Sequence, residues 1–258
     1  EEKEGNLIVS TKNNSSVIKC FPKEDFPSIP EVSKTKTIKI KIKDLLSGIR
    51  SVWYSASISS IKPELSSVYV YCDGEYVVFV ATDSFRLAEK KVRIKKSKDF
   101  EQILIPHKNI PDIINVLDNM KGEVEVVLDK NQVSFSYQNT FLVSRVVDGV
   151  FPDYRQIIPK QYTTEITVLK QDFVNTLKLS NVFSDKFNQV NFKIDPEAKI
   201  CQIKTKNNDI GENTSNIDAS ITGEGIEINF NYKYIIDCFQ SINSDSVNLS
   251  FSGLNRPM

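Results

Sequence analysis

The chain has 258 residues, 40% hydrophobic and 26% charged, which is enough to bury one large core or two ordinary ones. Lys plus Arg and Asp plus Glu both number 33, so the formal net charge is zero. That balance excludes the diffuse basic character of many DNA-binding proteins but leaves room for a local basic stripe. Four scattered cysteines (Cys20, Cys72, Cys201, Cys238) and one histidine, His107, exclude a zinc site and histidine-based acid–base catalysis. The cysteines are expected as small buried residues in a reducing compartment. There is no signal-peptide pattern, and no apolar run nears the ~18 residues of a membrane-spanning helix.

In chain order, Leu7–Val9 and Val17–Cys20 alternate as strands and lead to Phe26–Pro30 (FPSIP). Thr35–Lys41 (TKTIKIK) has the period-2 pattern of a half-buried strand. Asp44-Leu45-Leu46 then opens a helix to about Ser57, with Ile49, Val52 and Trp53 at helical spacing. Val68–Cys72 and Tyr76–Ala81 read as a hairpin around Asp73-Gly74-Glu75, and Arg86–Val92 as the returning strand. A short strand at Ile103–Ile105 precedes a helix over His107–Met120. Glu123–Leu128, Val133–Tyr137 and Thr140–Val147 follow as three strands.

The order then starts again. Thr164–Leu169 is an alternating strand, Lys170–Val182 a helix, and Val190–Ile194 with Ile200–Thr205 a hairpin. Asn207–Ser215 reads as a polar loop, Ile217–Ile221 as a strand, Tyr232–Ile242 as a second helix and Val247–Phe251 as a last strand. Two markers set the period. The Phe-Pro segments at 26 and 151 are 125 residues apart, and the alternating strands at 37 and 164 are 127 apart. A spacing this long marks a repeated domain rather than a solenoid. The reading is the tail of one module, a complete second and a third that stops early. Each module is internally doubled, since Ile38–Ser57 resembles Ile103–Met120. Many strands and few helices give an α+β class, with antiparallel sheets and helices on one face.

Four segments carry a resemblance. Val80–Ala88 (VATDSFRLA), Asp148–Pro159 (DGVFPDYRQIIP), Phe230–Phe239 (FNYKYIIDCF) and Asn255–Met258 match, in order, segments of the bacterial DNA sliding clamp, the β subunit of DNA polymerase III. The resemblance implies tandem DNA-clamp domains with sheets outside and helices on the inner face. Residues 1–33 would be the remnant of a first domain, 34–160 a complete middle domain and 161–258 a third domain incomplete at its C-terminus. It also implies a homodimeric ring of the full-length protein around duplex DNA, bound without sequence specificity, in the cytoplasm at the nucleoid. Partners would be the polymerase α subunit, the clamp loader and other proteins with clamp-binding motifs, with no cofactor, metal, catalytic residue or membrane.

Residue by residue, a partner-peptide pocket falls on Leu65, Thr82, Arg86, Leu87, Pro152, Ile157, Phe187, Asn231 and Tyr234. The DNA-facing candidates are Lys43, Arg50, Lys62, His107, Lys108, Lys170, Lys178 and Lys233, with Lys186 also on this side. On the residues alone, Leu65, Leu87 and Ile157 equally fit core packing, Arg86 an exposed strand charge, and the basic residues solvated helix faces. The chain departs from the family at Ser84-Phe85, where Gly-His is usual, and at Gln156, often Arg. The resemblance also implies that the family's C-terminal tail, which walls part of the pocket, lies beyond the segments matched here. Asp83, Asp148 and Asp153 near turns raise the alternative of a β-rich enzyme, and the repeat that of a structural protein. No metal-ligand spacing, phosphate loop or nucleophile motif supports the enzyme.

Overall fold

The computed structural model describes residues 1–26, 36–94, 102–129 and 131–258. Pro27–Pro30 of the first Phe-Pro segment, the module boundary expected at 33/34 and Thr35 lie outside the described residues. At the N-terminus β1 (Glu2–Lys3), β2 (Asn6–Ser10) and β3 (Ser15–Lys19) form a three-stranded antiparallel sheet. Leu7, Val9, Val17 and Ile18 on it are exposed. Cys20, just beyond, is exposed too, against the expectation of burial; Cys201 is buried, while Cys72 and Cys238 are half-buried.

The next unit is built twice over. β4 (Lys36–Lys41) runs straight into α1 (Ile42–Arg50) and is followed by β5 (Ser67–Asp73), β6 (Tyr76–Thr82) and β7 (Leu87–Arg93). β8 (Ile103–Pro106) leads into α2 (Ile110–Leu117), followed by β9 (Glu123–Asp129), β10 (Gln132–Tyr137) and β11 (Thr140–Arg145). The lead strands are exchanged. β4 pairs with β9 of the second half and β8 with β5 of the first, giving sheets ordered β11-β10-β9-β4 and β7-β6-β5-β8. Ile38 and Ile40 lie opposite Val126 and Val124, and all four are buried. Leu45, Leu46 and Ile49 of α1 and Ile110, Ile113 and Leu117 of α2 close the same core.

Both helices are shorter than their periodicity suggests. α1 ends at Arg50 rather than near Ser57, because Val52 leaves helical geometry (φ −129°) and a short 3-10 turn, Trp53–Ser55, follows. α2 begins at Ile110 rather than His107, because Pro111 lacks an N–H and fits only a first turn. His107–Asn109 form a 3-10 turn before it.

The last unit repeats the plan. β12 (Thr164–Leu169), α3 (Lys170–Val182), β13 (Gln189–Asp195) and β14 (Ile200–Asn207) lie where expected. β15 (Gly211–Asn216) does not; a loop was expected there. It pairs along β14 from Gln202↔Asn216 to Asn207↔Gly211. It is a polar edge strand with no buried face, so alternation cannot reveal it. β16 (Ala219–Gly223), β17 (Ile226–Asn231), α4 (Tyr232–Ile236) and β18 (Ser246–Phe251) complete the fold. The second helix stops at Ile236 rather than Ile242 and tightens into a 3-10 turn over Asp237–Gln240. β17 pairs with β13 as β8 does with β5, and β18 with β12 as β9 does with β4. A separate core gathers Ile166, Phe173, Phe192, Phe239 and Phe251. Every strand pairing described is antiparallel.

Gly48 lets α1 lie directly on the sheet: a Cβ there would fall 2.3 Å from Cε2 of Phe79, a fully buried ring. Gly48→Ala is expected to destabilise the fold by about 1–3 kcal/mol, the cost of overpacking, read from urea or guanidinium unfolding.

Candidate functional site

The seam between the two larger units is built around Arg86. It was expected to open a strand, but it lies in the turn between β6 and β7, and the local chain explains why. Thr82 Oγ1 accepts from the Ser84 N–H (3.2 Å) and donates to the Arg86 carbonyl (2.7 Å). Asp83 Oδ1 accepts from the backbone N–H groups of Phe85 and Arg86, both at 3.0 Å. Ser84 completes the turn with φ +76°, a conformation that favours glycine.

The Arg86 guanidinium crosses the seam. Nε donates to Asp83 Oδ2 (3.1 Å), Nη1 to Asp237 Oδ2 (2.6 Å) and Nη2 to the Tyr54 carbonyl (2.6 Å). It lies 5.6 Å from the Tyr54 ring centroid and 5.0 Å from that of Tyr234. Only 18% of the side chain is exposed. Burial by itself would lower its pKa, but the bonds to Asp237 and Asp83 outweigh it and leave the group above its ordinary value. Burial, with Cys238 close by, pushes the Tyr54 hydroxyl up to about 12, and burial pushes the Cys238 thiol up to about 11.

On the far side, Asn231 caps α4. Its Oδ1 accepts from the Lys233 N–H (2.9 Å), and its Nδ2 donates to the Phe187 carbonyl (3.2 Å). Asp185 Oδ1 fixes the same loop by accepting from the Phe187 N–H at 2.9 Å. Tyr234 on α4 then meets Phe85 from the β6–β7 turn, ring centroids 6.1 Å apart and nearly parallel. Phe85 is 80% exposed and Phe187 66%, so two large rings stand in water beside the seam.

The connector between the units docks on the face of the β7-β6-β5-β8 sheet turned away from the helices. Phe151 stacks on Tyr69 at 4.7 Å, and Phe151 and Tyr154 share a cluster with Val78, Val80, Leu104 and Leu87. The Tyr154 hydroxyl donates to Glu89 Oε2 (2.5 Å) and meets the Tyr71 hydroxyl (2.7 Å), which accepts from Arg155 (2.8 Å). Burial first, and the bond to Glu89 next, raise the Tyr154 pKa. Asp153 is tied to Gln156 and Asp83 to Arg86, so both serve turns.

Of the expected peptide residues, Thr82, Arg86, Asn231 and Tyr234 converge through these bonds and ring contacts, with Phe187 joined through Asn231. Leu87 packs against the connector, Pro152 and Ile157 are exposed on it, and Leu65 is buried. Sequence reasoning missed Tyr54, Asp237 and the role of Phe85. Asp237, three residues after Tyr234 and so on the same helical face, carried the one readable signal.

The basic candidates divide. Arg50 is bound to Asp118 at 2.8 Å, and the Lys170 ammonium donates to the Ile242 carbonyl. His107 stacks on Trp53 at 5.3 Å, and burial lowers its pKa. Among the described residues, Lys43, Lys62, Lys108, Lys178 and Lys233 are exposed and have no ion pair; Lys186 lies over the Phe187 ring. The described residues contain no group of three or more His, Cys, Asp and Glu able to hold a metal ion. None of their helices is long and apolar enough to cross a membrane.

Residues 39–153 match the family model of the DNA polymerase III beta subunit, central domain, and residues 155–258 that of its C-terminal domain. A beta sliding clamp of Staphylococcus aureus is 23% identical over 235 residues, covering 91% of this chain and 62% of the relative. The chain therefore spans less than two thirds of that relative. The DNA polymerase sliding clamp of Bacillus subtilis superposes with a TM-score of 0.93 at 26% identity, covering 99% of this chain and 68% of that one. The DNA polymerase III subunit beta of Pseudomonas aeruginosa gives 0.91 at 22% identity, covering 98% and 70%.

Ser84→Gly is expected to stabilise the protein by about 0.5–1 kcal/mol, since relief of left-handed strain exceeds the added freedom of the unfolded chain; a denaturation midpoint measures it. His107 binds its proton less readily folded than unfolded. Stability is therefore present above the unfolded pKa of 6.5 and falls as pH drops through it. In His107→Gln, melting temperatures between pH 7 and 5 should fall less steeply than in the parent.

Proposed function

The chain belongs to the DNA polymerase III beta subunit family, and from that premise we propose that the full-length protein works as a DNA sliding clamp: two copies close a ring around duplex DNA and hold replication proteins to it. The observation that carries this reading is the match of two successive family domains, in order, over residues 39–153 and 155–258. Residues 1–33 are read as the end of a first clamp domain, 34–160 as the middle domain and 161–258 as the third. Such a protein is non-catalytic and works by topology, since a closed ring leaves duplex only by opening. Its place is the cytoplasm, at the nucleoid.

The inner wall needs attraction to phosphate without base readout, which scattered lysines supply by counterion release. Lys43, Lys62, Lys108, Lys178 and Lys233 suit that task best, because no carboxylate neutralises them among the described residues. Arg50 and Lys170 are weaker contributors, being engaged within the protein.

The seam is the proposed docking groove for short peptides of the polymerase α subunit, the clamp loader and other clamp-binding proteins. Exposed Phe85, Phe187 and Ile157 offer apolar surface for peptide anchors and Tyr234 a polar group at its rim, while Thr82 and Asn231 shape the groove through bonds within the protein. Phe85 in place of the family's usual histidine makes the mouth more apolar.

The reading predicts that the full-length protein sediments as a dimer at micromolar concentration. It also predicts protein that a clamp loader leaves on nicked circular duplex and that is lost when the circle is cut. Retention that survives linearisation with free ends would overturn it. Lys108→Gln should weaken DNA binding uniformly across sequences and lower the salt slope of log K by about 0.9.

A further inference from the structure

Arg86 has little left to offer a guest. Its fork is bonded to two carboxylates and a carbonyl, and its faces are covered by Tyr54 and Tyr234. We propose that Arg86 is a positioning residue: it acts on the groove through Asp237, holding the third unit against the β6–β7 turn so that Tyr234 stays in register with Phe85.

The geometry supports this at both ends. Asp237 follows Tyr234 by three residues, on the turn that continues α4. One guanidinium therefore bonds the helix at Asp237 and covers its ring at Tyr234, which fixes both the height and the rotation of that helix. At the near end, Asp83 holds the same guanidinium while its other oxygen holds the backbone of Phe85 and Arg86. The turn that presents Phe85 and the helix that presents Tyr234 are thus joined through a single planar group. Tyr54 anchors that group to the middle unit by its backbone carbonyl.

Exposure separates this bridge from ordinary surface pairs. Asp83 and Asp237 side chains are 16% and 34% exposed, against 73% and 53% for the Arg93–Glu75 pair. A half-buried bridge is less screened by salt and, being multiply bonded, more directional. A lysine at 86 would keep the charge but not reach the three acceptors at once.

The inference rests on reading the seam as a peptide groove, but the bridge itself can be tested without a peptide. Four variants serve: Arg86→Gln, Arg86→Lys, Asp237→Asn and the double variant Arg86→Gln/Asp237→Asn. Folding of each is checked by its unfolding midpoint, and Asp237→Asn carries the test should Arg86→Gln fail to fold. The first readout is backbone hydrogen exchange over residues 83–86 and 232–240 in the unliganded protein. Exchange should rise in every variant, Arg86→Lys included; unchanged exchange in folded variants overturns the proposal.

The second readout is affinity for a fluorescein-labelled peptide bearing leucine and phenylalanine anchors. Asp237→Asn should weaken binding about as much as Arg86→Gln, roughly tenfold, as loss of a charged hydrogen bond implies. The double variant should be no worse than either single, because both act through one bond. Loss on Arg86→Gln with parental affinity in Asp237→Asn, or losses that multiply in the double variant, would mean that Arg86 touches the peptide and would overturn the proposal. Should the parent not bind the peptide at all, the groove reading fails, and exchange alone decides whether Arg86 holds the seam.

Discussion

The exchange of lead strands holds each large unit together. β4 enters α1 but bonds to β9, and β8 enters α2 but bonds to β5. Neither half can complete its sheet alone, so the two strand–helix starts must fold onto one another. Their helices then share one core, and Gly48 allows α1 to sit against Phe79 with no intervening side chain. The last unit reuses the device, with β17 on β13 and β18 on β12. Everything outside the cores, including the β6–β7 turn and the connector, is positioned by these pairings.

The seam is made differently. Among the described residues the two cores form separate apolar clusters; a turn, a connector and a short helix meet through polar groups and rings. The Arg86 bridge avoids the usual weakness of surface ion pairs, because one planar cation satisfies three acceptors at once and stacks against aromatic rings. Tyr154 does the corresponding work for the connector, filling an apolar cluster with its ring while its hydroxyl reaches Glu89 and Tyr71. These fixings leave Phe85 and Phe187 exposed, and exposed rings held by rigid turns suit a reusable docking surface.

Charge shows the same division of labour. A net charge of zero conceals two kinds of basic residue. Arg86 and Lys170 are engaged within the protein and Arg50 pairs with Asp118 at the surface, whereas Lys43, Lys62, Lys108, Lys178 and Lys233 remain solvated and without an ion pair among the described residues. The unpaired, solvated lysines exchange small counterions for a polyanion at the least cost.

Sequence by itself determined the repeated strand–helix plan and the family. Alternation in TIKIKIK and TEITVL and the helical spacing in Lys170–Val182 are local signals, and local signals survive without neighbours. It could not show β15, whose polar residues have no buried face, nor where α1 and α4 stop, because tertiary packing sets those ends. It put Arg86 among the expected peptide residues yet could not say what the guanidinium does. That depends on Asp237, 151 residues away in sequence but 2.6 Å away in space. Only the tertiary structure brings such partners together, since periodicity reports which face a residue occupies and never what lies across from it.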